Sequence, residues 1–206
     1  MIKEFTISNE LADLLEKELY SQQVNWTYYP DTVTYSDDFV KNNKTYIDNI
    51  DKKYGPIKDS QRFCHTVYNV KQAKYPFETL LNNINSPLRK NFNYFPIFIN
   101  EIQEKYFLNT FKITRCAVNR QLISPSWFLN GIHPDIECNR TFTVLYYVND
   151  SDGDTLFFDK DNLIKCTAPV KGTGVIFPST TWHAGACPTK TDTRTVINIL
   201  FTQTYE

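Results

Sequence analysis

Only three histidines occur in this 206-residue chain, and two of them fall in one pattern. His133-Pro134-Asp135 sets an imidazole and a carboxylate two residues apart; His183 and then Arg194 follow. Strand side chains alternate between faces, so residues two apart share one. Two imidazoles and one carboxylate on a β scaffold make the ligand set of a non-haem Fe(II) centre, in which three ligands on one face leave further positions open. A site closed by four protein ligands would instead be structural. Arg194 can hold the carboxylate of a co-substrate, because a guanidinium meets a carboxylate with two parallel hydrogen bonds. Each residue alone has a plainer reading. His133-Pro134-Asp135 can be a turn in which Asp135 bonds the backbone, His183 a satisfied core histidine, and Arg194 one half of a surface ion pair. Order, spacing and strand context set the combination apart from its parts.

The strands that must carry these residues begin near residue 111. β-Rich runs cover 111–118, 141–148, 155–158, 163–168, 174–177 and 193–204, separated by turn signals such as Asp152-Gly153. Several short strands at such spacing indicate a sandwich or barrel, with a jelly roll as the two-sheet solution. In the last run, one face carries Arg194, Val196, Asn198 and Leu200, and the other Thr195, Ile197, Ile199 and Phe201. The first face holds the only charge and is expected to look into the barrel cavity. The second is expected to pack under N-terminal helices. An arginine aimed into such a cavity needs an anionic partner.

Upstream, Leu11, Leu14, Leu15 and Leu19 predict an amphipathic helix over 9–20, with Ser8 or Asn9 at its start. Phe95, Phe98, Ile99, Ile102 and Phe107 predict another over 94–108. Residues 24–76 carry Trp26 and seven tyrosines, among them Tyr35, Tyr46 and Tyr75, and are broken by Pro30, Gly55-Pro56 and Pro76. Short strands and long loops are expected there. The segment reads as packing over the barrel, with a substrate-recognition lid as the alternative. The expected fold is α+β and mainly β: a double-stranded β-helix, or cupin-like jelly roll, with N-terminal helices on one sheet. One catalytic domain spans 1–206, with 1–110 as an N-terminal elaboration and 111–206 as the jelly-roll core.

Composition narrows the function classes. A net charge of −1, from 22 basic and 23 acidic residues with no long like-charge run, argues against nucleic acid or an anionic membrane as partner. Five scattered cysteines without a C-x-x-C pair suit free thiols in a reducing compartment. The N-terminal residues lack an apolar signal region and no run is long enough to span a bilayer, so a soluble, cytoplasmic protein is expected. Oligomeric state is left open.

Between residues 113 and 204 the pieces fall in a recognisable order. They are His133-Pro134-Asp135, Thr143-Val144-Leu145-Tyr146-Tyr147-Val148-Asn149, Gly153-Asp154-Thr155-Leu156-Phe157-Phe158, Pro169-Val170-Lys171-Gly172, Trp182-His183 and Arg194. This set resembles the prolyl 4-hydroxylase-like branch of the 2-oxoglutarate and Fe(II)-dependent dioxygenases. The resemblance implies that His133, Asp135 and His183 bind iron and that Arg194 clamps the distal carboxylate of 2-oxoglutarate. It implies that Tyr147 adds a hydroxyl to that carboxylate, that Leu145 and Thr143 line the same pocket, and that Asn119 is a further co-substrate contact. The cofactors implied are Fe(II), 2-oxoglutarate and O2, with ascorbate as a candidate accessory reductant. The substrate would be a peptidyl or free proline-type group, or else another amino acid or small molecule. Departures are Asp152 where the family usually has glycine, Asp154 for its common glutamate, and Val196 after the arginine.

Two other classes stay open: a binding module that uses the same barrel without turnover, and a metal-dependent cupin of another reaction class. The latter usually has more histidines at its metal. Asp150, Asp152 and Asp154 do not have calcium-loop spacing, and His65 has no partner at metal-ligand spacing.

Overall fold

In the computed structural model, the described residues are all but 22–23, 30–36, 59–60, 70, 72–76, 78–79, 81–86, 108–109, 137 and 205–206. Tyr35, Tyr75, Pro30 and Pro76 of the tyrosine-rich segment therefore lie outside the described residues. The N-terminal half contributes β1 (Lys3–Thr6), α1 (Asn9–Leu19), β2 (Thr27–Tyr29), α2 (Asp37–Tyr54), β3 (Arg62–Asn69), α3 (Pro87–Asn91) and α4 (Phe95–Ile102). A π-helical turn at Gln103–Phe107 ends this half. Then come β4 (Phe111–Leu122), β5 (Thr141–Tyr147), β6 (Thr155–Asp159), β7 (Asn162–Thr167), β8 (Thr173–Pro178), β9 (Trp182–Gly185) and β10 (Thr193–Gln203).

The strands form a seven-stranded major sheet, β1-β8-β5-β10-β4-β3-β2, and a minor sheet, β7-β6-β9. Single bridges, Leu129 to Ala186 and His133 to His183, lay residues 129–133 along the free edge of β9. From β4 onward the chain therefore alternates between sheets: β4 major, 129–133 minor, β5 major, β6 and β7 minor, β8 major, β9 minor, β10 major. That alternation is a jelly roll, or double-stranded β-helix.

The parity expected of β10 is observed. Ile197, Ile199 and Phe201 join α1 and α4 in the largest apolar cluster, together with Leu11, Leu15 and Phe98. Val196 lies on the opposite face, among Leu145, Tyr147, Phe157, Val175 and Phe177 between the sheets. A slip of one residue in pairing would exchange these faces, so burial on both sides holds the register.

The predicted helices form where the apolar stripes place them. Ser8 caps α1 through its side chain, which accepts from the Leu11 amide. The Tyr94 N-cap position of α4 supplies no side-chain bond, and Glu18 of α1 takes that place, accepting from the Tyr94 and Phe95 amides at 3.1 and 2.9 Å. The expected run to residue 108 changes after Ile102 into the π-helical turn. That turn brings Phe107 flat against Phe201, with ring centroids 4.0 Å apart.

Residues 24–76 differ from the expectation of strands and loops alone, because the 18-residue helix α2 runs through them. Its buried stripe is narrow: Ile50, flanked by Tyr46 and Tyr54, each four residues away. Asn, Asp and Thr around it are indifferent helix formers, and packing against Phe158, Ala184 and Trp182 on the outer face of the minor sheet supplies the stabilisation. While α1 and α4 cover the major sheet as expected, α2 covers the minor one.

Candidate active site

The two sheets enclose a cavity of about 240 Å³ lined by His133, Asp135 and His183 at one region of its wall and by Arg194 at another. Local strand geometry explains the convergence. On β9, Trp182 and Ala184 face outward to α2, so His183 faces inward. The His133–His183 bridge then sets the second imidazole alongside, with ring centroids 4.8 Å apart. Asp135 is drawn in by its own amide, which donates to the Ser179 carbonyl at 2.9 Å. One ligand atom from each of the three lies within 4.8 Å of the others.

Each ligand is oriented by a neighbour. His133 Nδ1 lies 2.8 Å from the Gly131 carbonyl, and His183 Nδ1 lies 3.0 Å from that of Thr181. A carbonyl only accepts, so both Nδ1 atoms carry a proton, and both Nε2 atoms are left as the ones that could face a metal. The Thr143 hydroxyl donates to Asp135 Oδ2 at 2.7 Å, and Asn198 Nδ2 donates to Oδ1 at 3.3 Å. The Asp135 side chain is only 3% exposed and that of His183 7%, with His183 Nε2 3.7 Å from Asp135 Oδ2. Burial, and then the adjacent His183, push the His133 pKa down to about 4, so this imidazole is neutral near pH 7. Burial works against the Asp135 charge, but the two imidazoles and the Thr143 hydroxyl outweigh it, and its pKa lies below the usual carboxylate range. A neutral His133 imidazole and an ionised Asp135 carboxylate are the forms in which these two side chains bind a divalent metal.

Arg194 is 6% exposed, and burial works against its charge. Its Nε donates to the Gly153 carbonyl at 2.6 Å, one terminal nitrogen to Gln121 Oε1 at 3.1 Å, and the other to Thr155 Oγ1 at 2.7 Å. All three acceptors are neutral. Among the described residues no carboxylate forms an ion pair with it. Space for the side chain depends on Gly153, where an added Cβ would fall 2.9 Å from Arg194 Cδ and 2.6 Å from the Ala186 carbonyl.

Leu145 and Asn119 line the cavity, and Asn119 Oδ1 is buried without a hydrogen-bond partner. Tyr147 stands differently from the expectation. It is fully buried and its hydroxyl donates to Thr155 Oγ1 at 2.9 Å, so Thr155 is the hydroxyl at the cavity wall and Tyr147 stands behind it. Thr143 supports Asp135 rather than an open wall. Sequence reasoning did not single out Gln121, Thr155, Asn130, Arg62 or Arg115 as wall residues. Alternation along β4 carries the signal for two of them: Arg115, Ala117, Asn119 and Gln121 share one face, opposite Leu200, Asn198, Val196 and Arg194 of β10.

The departure at Asp152 has a structural explanation. Its carboxylate accepts from the amides of Thr189, Lys190 and Thr191 and from both threonine hydroxyls, tying down the loop that leads into β10. His65 bonds the Asn25 carbonyl at 2.8 Å, away from the cavity. All five cysteines are free. No helix of the described residues is long and apolar enough to cross a membrane.

Fold and site together define a jelly-roll protein in which a His–Asp–His cluster that could hold a metal ion shares a cavity with an arginine. Residues 128–202 match the family described as the 2OG-Fe(II) oxygenase superfamily, and this stretch contains His133, Asp135, His183 and Arg194. The barrel segment is thus similar to that superfamily, whose description gives Fe(II) and 2-oxoglutarate as its metal and co-substrate. Solved structures similar to the chain include a 2OG-Fe(II) oxygenase family oxidoreductase from Burkholderia pseudomallei, at 16% identity and TM-score 0.48, covering 96% of this chain and 93% of that one. A Pseudomonas putida prolyl-4-hydroxylase matches at 15% identity and TM-score 0.42, covering 94% and 99% respectively. A viral collagen prolyl hydroxylase from Paramecium Bursaria Chlorella virus-1 matches at 11% identity and TM-score 0.42, covering 99% and 90%. No curated protein matches the chain in sequence.

Proposed function

We propose that the cavity is the active site of a 2-oxoglutarate-dependent hydroxylase, with iron held by His133 Nε2, His183 Nε2 and an Asp135 carboxylate oxygen. The observation that carries this reading is the pairing, in one cavity, of a pre-oriented His–Asp–His cluster with a buried arginine that has only neutral partners. The donor set suits Fe(II), and the orphaned Asn119 Oδ1 marks a wall built for contact with something further.

Fe(II), with 2-oxoglutarate and O2, supplies oxidative decarboxylation to succinate and CO2 while one oxygen atom enters a substrate C–H bond. The chain's own residues position and insulate. Arg194 takes the distal carboxylate of 2-oxoglutarate, a charge-assisted contact that replaces missing solvation of the guanidinium. Gln121, Thr155 and the Gly153 carbonyl keep that guanidinium aimed, and Tyr147 orients Thr155. Leu145 and Val196 give the co-substrate an apolar wall. Phe177 and Phe157, with ring centroids 5.0 and 6.1 Å from His183, keep water from that ligand. The order of motifs along the barrel favours a proline-type substrate, peptidyl or free, over other small molecules.

Anaerobic titration of metal-free protein with Fe(II) and then 2-oxoglutarate tests the assignment. A weak visible charge-transfer band is expected in the wild type and not in Asp135→Ala. A folded protein that yields no band would return weight to a binding module or another cupin class.

A further inference from the structure

We propose that the molecule hydroxylated here is a small free acid, an amino acid or close relative, whose carboxylate is held by Arg115, and not a residue inside a polypeptide. The inference rests on the Fe(II) and 2-oxoglutarate reading of the cavity and names its substrate class.

Arg115 lies on the same cavity face of β4 as Gln121, which holds Arg194, but six positions away. At about 3.4 Å per residue that is roughly 20 Å along the strand, so the two arginines do not serve one small co-substrate. Among the described residues the Arg115 side chain makes no hydrogen bond or ion pair. Among the described residues Asp135 is the only carboxylate on the wall, and it belongs to the candidate metal cluster.

Charge balance then separates the two ends of the cavity. Fe(II) and Arg194 together match Asp135 and the two carboxylates of 2-oxoglutarate. Arg115 is left over, and the guanidinium of Arg62, set 5.4 Å over the Tyr29 ring, adds to the positive potential on the same wall. A substrate that covers Arg115 without an anion would strip its water and give nothing in return. An internal peptide residue carries no such anion; a free acid does.

A second group between Arg115 and the metal cluster fits the other end of an amino acid. Asn198 turns its Nδ2 to the Asp135 carboxylate, so its Oδ1 must face away from that ligand, and this oxygen is buried with no donor. Asn198 sits one strand position inward from Leu200, the residue opposite Arg115. It is placed to accept from an ammonium or imino group while Arg115 takes the carboxylate.

The test uses the Fe(II)-loaded full chain with a panel of free L-amino acids, proline included, their carboxamides, and capped proline-containing tripeptides. Two readouts are taken: succinate release in air, and perturbation of the anaerobic charge-transfer band on binding. At least one free acid is expected to stimulate succinate release and shift the band, with its carboxamide at least tenfold weaker in kcat/KM. Arg115→Gln should raise the KM for that acid tenfold or more with a smaller change in kcat, and Arg115→Lys should recover part of the loss. Silence from every free acid, equal response to acid and carboxamide, or preference for capped peptides would overturn the proposal. The carboxamide comparison is made on wild type and needs no folded variant. A band without acid stimulation sinks this inference alone, whereas no band sinks the reading beneath it.

Discussion

The triad and Arg194 share one cavity but are finished differently. At the triad, every coordinating residue has a fixed orienting partner: backbone carbonyls for the two imidazoles, Thr143 and Asn198 for the carboxylate. A buried carboxylate flanked by two oriented imidazoles is complete except for a cation. At Arg194 the orienting partners are equally definite but all neutral, and the buried positive charge is complete except for an anion. The protein has satisfied geometry at both ends and left charge unsatisfied at both. This is how a preorganised site differs from a structural ion pair, in which Asp135 and Arg194 would simply have met each other.

The largest effect is expected where the triad loses its carboxylate. Asp135→Ala should abolish the Fe(II)–2-oxoglutarate band and turnover while circular dichroism stays near wild type; retained turnover would remove the triad from the chemistry. Next in size, Arg194→Ala should raise the 2-oxoglutarate KM about 10–100-fold, the worth of a charge-assisted contact of ~1.5–3 kcal/mol. A KM that does not move would show that the anion binds elsewhere. Removing an orienting partner instead of a ligand should cost less: Thr143→Val is expected to weaken Fe(II) affinity about tenfold, the low end for outer partners of metal ligands. Calorimetry or competition with a chelator reads this directly.

Smallest is Asp152→Asn, which loosens the loop before β10 without touching either end. A loss of about 1 kcal/mol, or some 2–4 °C in Tm, is expected at neutral pH. Burial opposes the Asp152 charge, but hydrogen bonds from Thr189 and Thr191 prevail and hold its pKa below the usual carboxylate range. A depressed folded-state pKa means stabilisation present above the unfolded value near 3.9 and lost as pH falls below it. Wild-type Tm should therefore fall in that acid window more steeply than that of Asp152→Asn. Parallel acid limbs would show that the loop does not depend on the charge.

Much of this was legible before any coordinates. Alternation in β10 alone put Arg194 and Asn198 on the cavity face and Ile197, Ile199 and Phe201 under the helices, since a strand has only two faces and a charge selects between them. Helix α1 was equally plain, because its leucines form one stripe behind a serine cap. Helix α2 was not, because three apolar residues spaced by four among Asn, Asp and Lys make a weak stripe until the minor sheet is there to receive it. Thr155 displaced Tyr147 at the wall for a similar reason. Both side chains point toward Arg194, and only the distance between sheets decides which of two hydroxyls comes first.

The sequence by itself therefore determined the ligand types, their order and the faces on which they sit, because those follow from the two-residue period of a strand and the chemistry of imidazole, carboxylate and guanidinium. Tertiary structure alone decided what lies across from what. The pairing of β3 to β4 and of residues 129–133 to β9 brings Arg62 and Asn130 to the same wall as the triad. Such neighbours are set by long-range pairing and the packing of two sheets, and no local pattern in the chain encodes which distant strand will arrive.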